Sequence, residues 1–233
     1  VNGMLLQNVP EQLAFTAEDD AREWIDFVNN GTFSGTASSF AFGDAMKGRL
    51  SEALGGQDWQ VPYQLALIAY DGRDFESAKT LCAQSLILDN NYLNNHLYAA
   101  LLYQQNQPFS YFALKCLRLK KDDYSVCESI FRLLLKGECY NEVIRVFAEI
   151  GENLKHSPRL NMYLAMAYLR SVDAATAEEV LLRDGGLKLL DFREGDKFLD
   201  TLYKGIRKEK YGEKENEVIV PEQFDFIVYK PKN

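Results

Sequence analysis

Residues 164–181, LAMAYLRSVDAATAEEVL, decide the fold of this chain. A large apolar residue, a small one and an aromatic one (Leu164, Ala165 and Tyr168) lie on a first helical segment, and a polar turn follows at 171–173. Ala177 then provides a small side chain where a second helix must pack closely against the first. The stretch therefore predicts a helical hairpin.

The same order of residues recurs in 64–81, QLALIAYDGRDFESAKTL, and more loosely in two further copies. Aligning the small residue of each second helix gives intervals of 35, 30 and 34 residues, from the positions Ala78, Ala113, Val143 and Ala177. The predicted first helices fall near 60–71, 93–105, 124–136 and 158–170. The predicted second helices fall near 75–88, 109–120, 141–150 and 174–183.

This pattern resembles the tetratricopeptide-repeat family, whose period is about 34 residues. The resemblance implies an all-α, right-handed solenoid of helical hairpins, because one hairpin cannot bury its apolar face alone and stacking supplies a continuous core. We expect an N-terminal strap and helical pair over 1–58 as a capping unit, four hairpins over 59–183, and a connector, capping helix and short extended tail over 184–233.

Two helices are predicted in the N-terminal part. The first runs to about residue 29, since Ala21, Trp24, Ile25 and Val28 have the spacing of one helical face. The second begins at Phe40 and ends at 54, before a pair of glycines.

The C-terminal part is predicted to close the stack. A helix from about 196 to 208 has an apolar face that consists of Phe198, Leu199, Leu202 and Ile206. Beyond it, 218–229 is rich in β-branched and aromatic residues, which favours a strand or an extended strap. We expect this tail to fold back over the last helices and to cover apolar surface with Phe224, Phe226 and Val228.

The charge distribution argues against nucleic acid and against an anionic membrane surface as partners. The net charge is −8, and residues 1–60 have nine acidic residues against three basic ones. Nucleic-acid and anionic-lipid binding both depend on clustered Lys and Arg. The chain also has no run of 18 apolar residues.

The four cysteines, Cys82, Cys116, Cys127 and Cys139, lie in or beside apolar helical patterns and form no C-x-x-C pair. This usage favours structural thiols in a reducing compartment, the cytoplasm, over a zinc site. We predict no metal and no cofactor, since the sequence also has no phosphate-binding loop, elbow serine or zincin motif.

The resemblance places ligand contacts on the concave face, which the first helices of such stacks line. Carrying the family's ligand-contacting positions onto this chain gives the residues Tyr63, Tyr70, Tyr98, Gln105, Glu128, Arg132, Arg159, Met162, Met166 and Arg170. Tyr and Arg concentrate binding energy at interfaces, and Met is adaptable. Three of them, Arg132, Arg159 and Arg170, would form a basic lip suited to an acidic peptide. The alternative is that the aromatic residues and Met are helix packing.

A second resemblance covers the end of the chain. Residues 184–196, DGGLKLLDFREGD, and 221–226, PEQFDF, resemble the closing segment of large bacterial proteins of unknown function. Those proteins look like β-rich, carbohydrate-handling domains followed by tetratricopeptide repeats. The connector residues Asp191, Arg193, Glu194 and Asp196 would then reach a neighbouring domain, where a carboxylate could serve a sugar site. The alternative is helix capping by Asp196 and an ion pair of Arg193.

Two functions from different classes follow. The first is a non-catalytic scaffold that binds a protein segment or a partner domain in its groove. The second is the helical module of a larger bacterial carbohydrate-active protein with its chemistry on another domain. Neither assigns catalytic residues to this chain.

Overall fold

The fold was analysed in a computed structural model that describes residues 18–37, 39–40, 43–189, 194–195 and 197–225. Within these residues the regular secondary structure consists of α-helices and short 3-10 helices, without a strand. The prediction of an all-α chain is therefore confirmed. In the same residues, no helix has both the length and the apolarity needed to cross a bilayer.

The chain divides into two compact units, Val1–Phe112 and Ala113–Asn233. The first unit contains α1 (Glu18–Asn30), α2 (Asp44–Ala53), α3 (Gln60–Asp71), α4 (Phe75–Leu88), α5 (Tyr92–Gln104) and the start of α6 (Ser110–Leu119). The second contains the rest of α6, α7 (Tyr124–Lys136), α8 (Tyr140–Phe147), α9 (Pro158–Arg170), α10 (Ala174–Leu182) and α11 (Phe198–Tyr211). The second unit also contains short 3-10 helices at Glu152–His156, Arg183–Gly185 and Glu222–Phe224.

The first unit is built around the hairpin of α3 and α4, with α2 packed on α3 and α5 packed on α4. Ala78 and Cys82 of α4 are fully buried against Ala66 and Leu101. The absence of bulk at Ala78 lets the two helix backbones approach closely. This packing was predicted from the residue types alone.

Aromatic side chains fasten α1 to the loop that follows it. Trp24 and Phe27 are 2% exposed, and Phe33 of the loop stacks on Phe27 with ring centroids 4.7 Å apart.

The predicted apolar face of α1 was wrong in one position, since Ile25 is 36% exposed. The predicted start of the second helix was also wrong. The helix α2 begins at Asp44, so Phe40 lies before it. Its side chain is 37% exposed.

The second unit is organised around α9, which packs against α7, α8, α10 and α11. Nine successive residues of α9, from 159 to 167, are buried. A helix that is buried all round must contact neighbours on every side. The walls of any recess in this unit are therefore set by how the other helices lie on α9.

The helix bounds match the predicted hairpins within one residue at most ends, apart from the shorter α8. The aligned small residues Ala78, Ala113, Val143 and Ala177 are all 0% exposed. Val143 has a larger side chain than the other three, and its position is nevertheless fully buried. Close packing of the two helices therefore buries this position, both with a small side chain and with the larger valine.

Four hairpin turns share one hydrogen-bonding pattern. In each turn, one residue has a positive φ between 53° and 64°, and the next residue donates its N–H to the carbonyl five residues earlier. These N–H···O distances are 2.9–3.0 Å, for the donors Asp74, Gln107, Cys139 and Asp173. This geometry is the Schellman motif, which satisfies the last carbonyls of the first helix. The left-handed residues are Arg73, Asn106, Glu138 and Val172, none of which is glycine.

A second repeated device fastens the loops that precede the first helices. Asn95 of α5 donates to the carbonyl of Asn91 at 2.6 Å, and Asn161 of α9 donates to the carbonyl of Ser157 at 2.9 Å. Cys127 has the same position in α7, and its thiol lies 3.4 Å from the carbonyl of Lys121. Buried polar side chains at one helical position therefore hold three successive loops.

The tail was predicted to be a strand or an extended strap, and its described part forms no strand. Residues 218–221 have no regular structure and Glu222–Phe224 forms a 3-10 helix. Phe224 is fully buried, with its ring 5.7 Å from that of Tyr203 on α11, which confirms the fold-back at this residue. Phe226 and Val228 lie outside the described residues.

The thiols of the core are held in their protonated form. Burial raises the pKa of Cys82 and Cys116 to about 12 and that of Cys127 to about 11, with the charge of nearby Asp123 adding to the last two. Burial also raises the pKa of Cys139, which is half-buried. Because the thiolate is the nucleophile, these residues act as small apolar side chains.

The first prediction concerns Val172, which is 84% exposed and has φ 64°. A β-branched residue in this conformation costs about 1–2 kcal/mol, of which glycine's larger unfolded-state entropy offsets about 0.5–1 kcal/mol. We expect Val172→Gly to raise the free energy of unfolding by about 0.5–1 kcal/mol in urea titrations. The control is Ile87→Gly, an equally exposed β-branched residue inside α4, which should lower it by about 0.5–1 kcal/mol. Destabilisation by both variants would contradict the strain at Val172.

The second prediction concerns thiol reactivity. At pH 8, iodoacetamide should modify Cys139 first in the folded protein, because the pKa values of the other three thiols leave about a thousandth or less as thiolate. All four should react together after unfolding in urea. Mass spectrometry of tryptic peptides measures each site, and rapid labelling of Cys82 in the folded protein would be inconsistent with its burial.

Candidate functional site

The predicted groove residues of the first unit take part in packing. Tyr63 is 9% exposed, and its ring lies 5.7 Å from that of Trp59. Tyr70 is half-buried and makes an edge contact with Phe75 at 5.6 Å. The first contact lies at the start of α3 and the second joins α3 to α4, so both rings take part in packing.

The other two predicted residues of this unit are also used within the fold. Tyr98 lies edge-on to Phe112 at 4.7 Å. Gln105 accepts a hydrogen bond from Lys79 at 2.6 Å and donates one to Glu76 at 2.7 Å. Its amide therefore ties the α5 turn to α4. None of these contacts tests a binding role for the residues.

The predicted residues of the second unit separate into a buried and an exposed set. The buried set consists of Glu128, Arg159, Met162 and Met166, at 7%, 6%, 0% and 7% exposure. Arg132 and Arg170 are exposed. The expectation that Arg159 presents its charge on a lip is wrong, because this side chain is 7% exposed and binds a carboxylate within the fold.

That carboxylate belongs to Glu194 of the connector. Arg159 Nη1 donates to both carboxylate oxygens of Glu194, at 2.6 and 2.8 Å, and Tyr163 Oη donates to Oε1. Arg159 and Tyr163 lie one turn apart on α9, so they present their donors on one face. The Glu194 side chain is 6% exposed. The pair thus attaches the connector to α9 four residues before α11 begins.

The buried cluster holds Tyr163 as a neutral phenol. Burial raises the pKa of Tyr163 well above its ordinary value, and its hydrogen bond to Glu194 and the charges of Glu194 and Glu128 add to this effect. The charge of Arg159 opposes it. A phenol held this way donates a hydrogen bond steadily and does not act as a base near neutral pH. The arrangement positions the connector.

Glu194 is the only one of the four predicted connector residues that the structure describes. Asp191, Arg193 and Asp196 lie outside the described residues, so the predicted cap at Asp196 and the predicted ion pair of Arg193 stay predictions. Glu194 itself forms an ion pair, with a partner 35 residues earlier in the sequence.

A recess of about 400 Å³ opens beside this ion pair. We call it the basic recess. Its apolar surface comes from Leu135, Met166 and Phe198, and its lining is completed by Lys136, Tyr140, Arg170, Glu194, Lys197 and Thr201. Residues from α7, α8, α9 and α11 thus meet around one opening.

The electrostatics of the basic recess favour an anionic ligand. Among the described lining residues, Lys136, Arg170 and Lys197 contribute three positive charges, and the one carboxylate, Glu194, is neutralised by Arg159. Lys136 already has an interaction within the chain, whereas no ion pair of Arg170 or Lys197 with another described residue is found. Charge of one sign in a partly enclosed site attracts the opposite charge more strongly than the same residues do on an open surface.

Sequence reasoning identified Met166, Arg170 and Glu194 but missed the other charges of the recess. Lys136 lies at the end of α7, and Lys197 lies just before α11. The signal for Lys136 was its position one turn after Arg132, on the helix already selected. Lys197 had no such signal, since it reaches the recess through the way α11 packs on α9.

Neither a metal-binding cluster among the described residues nor a similar protein identifies a ligand for the basic recess. In the part of the chain that the structure describes, no group of three or more His, Cys, Asp or Glu side chains could hold a metal ion. Comparison with protein-family models, curated proteins and solved structures finds no match to this chain.

The third prediction tests the buried ion pair. Glu194→Ala removes the carboxylate that Arg159 and Tyr163 bind, and losing one partner of a buried pair costs about 3–5 kcal/mol. Urea unfolding should show a loss of this size. In the control, Glu149→Ala removes the partner of Arg118 from an exposed pair and should cost less than about 1 kcal/mol. A loss in Glu194→Ala as small as that expected of the control would mean that the Arg159–Glu194 pair does not stabilise the fold.

Proposed function

We propose that this chain is a non-catalytic interaction scaffold that binds an acidic segment of a partner protein in the basic recess. The proposal includes a right-handed solenoid of tetratricopeptide-like hairpins. It is supported by the four Schellman turns, whose left-handed residues recur at intervals of 33, 32 and 34 residues. An array of equal hairpins is the architecture that most often provides extended binding surfaces.

The observation that carries the proposal is the combination of charge and apolar surface in one recess. Lys136, Arg170 and Lys197 surround apolar side chains that include Met166 and Phe198. Positive charge attracts a carboxylate from a distance, and the buried apolar surface adds affinity that salt does not screen. A peptide with both acidic and apolar side chains offers both features.

A protein segment suits the recess better than nucleic acid does. The whole chain has a net charge of −8, so a polyanion would meet repulsion outside the recess. A short acidic segment places its charge only where the basic residues are. The distribution of charge therefore favours a local anion over an extended one.

The proposal assigns no reaction to the basic recess because the candidate nucleophile and base beside it are neutral or occupied. Tyr163 is held as a phenol that donates to Glu194. Glu194 is itself bound by Arg159. The buried thiols have pKa values of about 11–12. These groups do not offer a reactive atom at neutral pH.

The fourth prediction tests the recess by charge reversal. A fluorescein-labelled peptide that contains three glutamates should bind the wild type more tightly than its lysine counterpart, and more weakly as salt rises. Arg170→Glu combined with Lys197→Glu should weaken binding of the acidic peptide at least about tenfold, because two attractive charges become repulsive. Fluorescence anisotropy measures both affinities.

The matched control reverses two charges on another recess of the same unit. Arg183 and Lys188 line a recess of about 240 Å³ beside Pro158. Arg183→Glu combined with Lys188→Glu changes the net charge by the same amount and should leave binding nearly unchanged. Equal losses in the two double variants would show a general charge effect, and a wild type without preference for the acidic peptide would overturn the proposal.

A further inference from the structure

A second recess lies beside the basic recess, along the seam between α9 and α11. The second recess measures about 280 Å³. Arg170 of α9 and Thr201 of α11 line both recesses. Because the two recesses share a lining residue on each of two packed helices, they lie side by side, and we call the two together the furrow.

The two halves of the furrow differ in chemistry. The second recess has Leu169, Val172 and Gly205 in its lining, and its two basic residues, Arg170 and Lys208, are balanced by Glu209 and Glu215. Lys208 is paired with Glu215 at 3.3 Å. The furrow is therefore cationic at one end and electrically balanced, with apolar side chains, at the other.

The close approach of α11 to α9 limits the depth of the second recess. A Cβ on Gly205 would lie 2.7 Å from Leu169 Cδ2, so a side chain at this position would collide with α9. The Leu169 side chain fills the space that a side chain at position 205 would need, and with Val172 it forms the apolar wall of the second recess. A branched aliphatic side chain of a ligand has the size and polarity to pack against this wall.

The length of the furrow sets the spacing of the ligand. Phe198 lies in the basic recess and Gly205 in the second recess, and seven residues of helix correspond to about 10 Å. A polyproline-type extended peptide advances about 3.1 Å per residue and returns to the same face every three residues. Two side chains three positions apart therefore reach the two halves of the furrow together.

We propose, building on the proposed function, that the furrow binds an extended peptide in which an acidic residue and a branched aliphatic residue are separated by two others. The carboxylate lies among Lys136, Arg170 and Lys197, and the aliphatic side chain lies against Leu169, Val172 and Gly205. The backbone passes Thr201, which is exposed between the two recesses. The furrow recognises the spacing between these two side chains, and the peptide can lie in either chain direction.

The experiment compares labelled peptides of identical composition by fluorescence anisotropy. One pair has Glu and Leu separated by two residues, in both chain directions, and a second pair has them adjacent. A short peptide with glutamate and without leucine measures the basic recess alone. In the wild type, at least one spaced peptide should bind about tenfold more tightly than the adjacent ones, as expected for burying one leucine side chain.

Thr201→Trp fills the passage between the recesses, and Thr201→Ser is its matched control. Thr201→Trp should abolish the gain from spacing, whereas Thr201→Ser should keep it. A second variant, Val172→Glu, acts only in the second recess and places there the residue type that Glu138 already provides at the equivalent turn. It should also abolish the gain.

The outcomes separate this inference from the proposed function. If the short acidic peptide binds but spacing has no effect, the furrow is overturned and the proposed function stands. If the short peptide does not bind the wild type, both fail. Retention of the spacing gain in Thr201→Trp or in Val172→Glu overturns the furrow, and the second variant decides if the tryptophan also affects the short peptide.

Discussion

The structure depends on reversing the chain direction in very few residues while two helices pack closely. Three residues separate α3 from α4, α7 from α8, and α9 from α10. A reversal this short requires a left-handed residue, and the 6→1 hydrogen bond of the Schellman motif then satisfies a carbonyl that would lack a partner at the helix end. The conformational cost at Glu138 or Val172 is accepted because the packing of whole helices depends on it.

Burial of α9 converts this local geometry into a site. The helix is surrounded, so its charged end must be neutralised within the fold, and Glu194 provides the neutralising carboxylate. Isolated buried charges are costly, and a buried pair acts more to fix geometry than to add stability. Here the geometry that is fixed is the start of α11, and with it one wall of the basic recess. Binding surface and core are therefore coupled through one ion pair.

The loops between hairpins are also held by buried polar side chains. Asn95 and Asn161 donate to loop carbonyls, and in the described structure their Oδ1 atoms and the Gln64 Oε1 atom have no protein partner. An amide whose donors are satisfied and whose acceptor is not still fixes the loop, at a modest cost. The repetition of this detail in Asn95 and Asn161 indicates a packing role for both, so we do not interpret Asn161 as a ligand contact beside Pro158.

The sequence by itself determined the helices, the small residues at their contacts, and the pairing of α3 with α4, α7 with α8 and α9 with α10, because period, caps and side-chain volume are local properties. The N-caps Asp74 and Asp173 each accept a hydrogen bond from the backbone three residues later, as their residue type indicates. Only the tertiary structure decided which charges face solvent. Arg159 and Arg170 lie on one helix and look equivalent in sequence, yet one is buried by Glu194 and the other lines the recess. That difference depends on a carboxylate 35 residues away and on the packing of α11, and both are long-range contacts that no local pattern encodes.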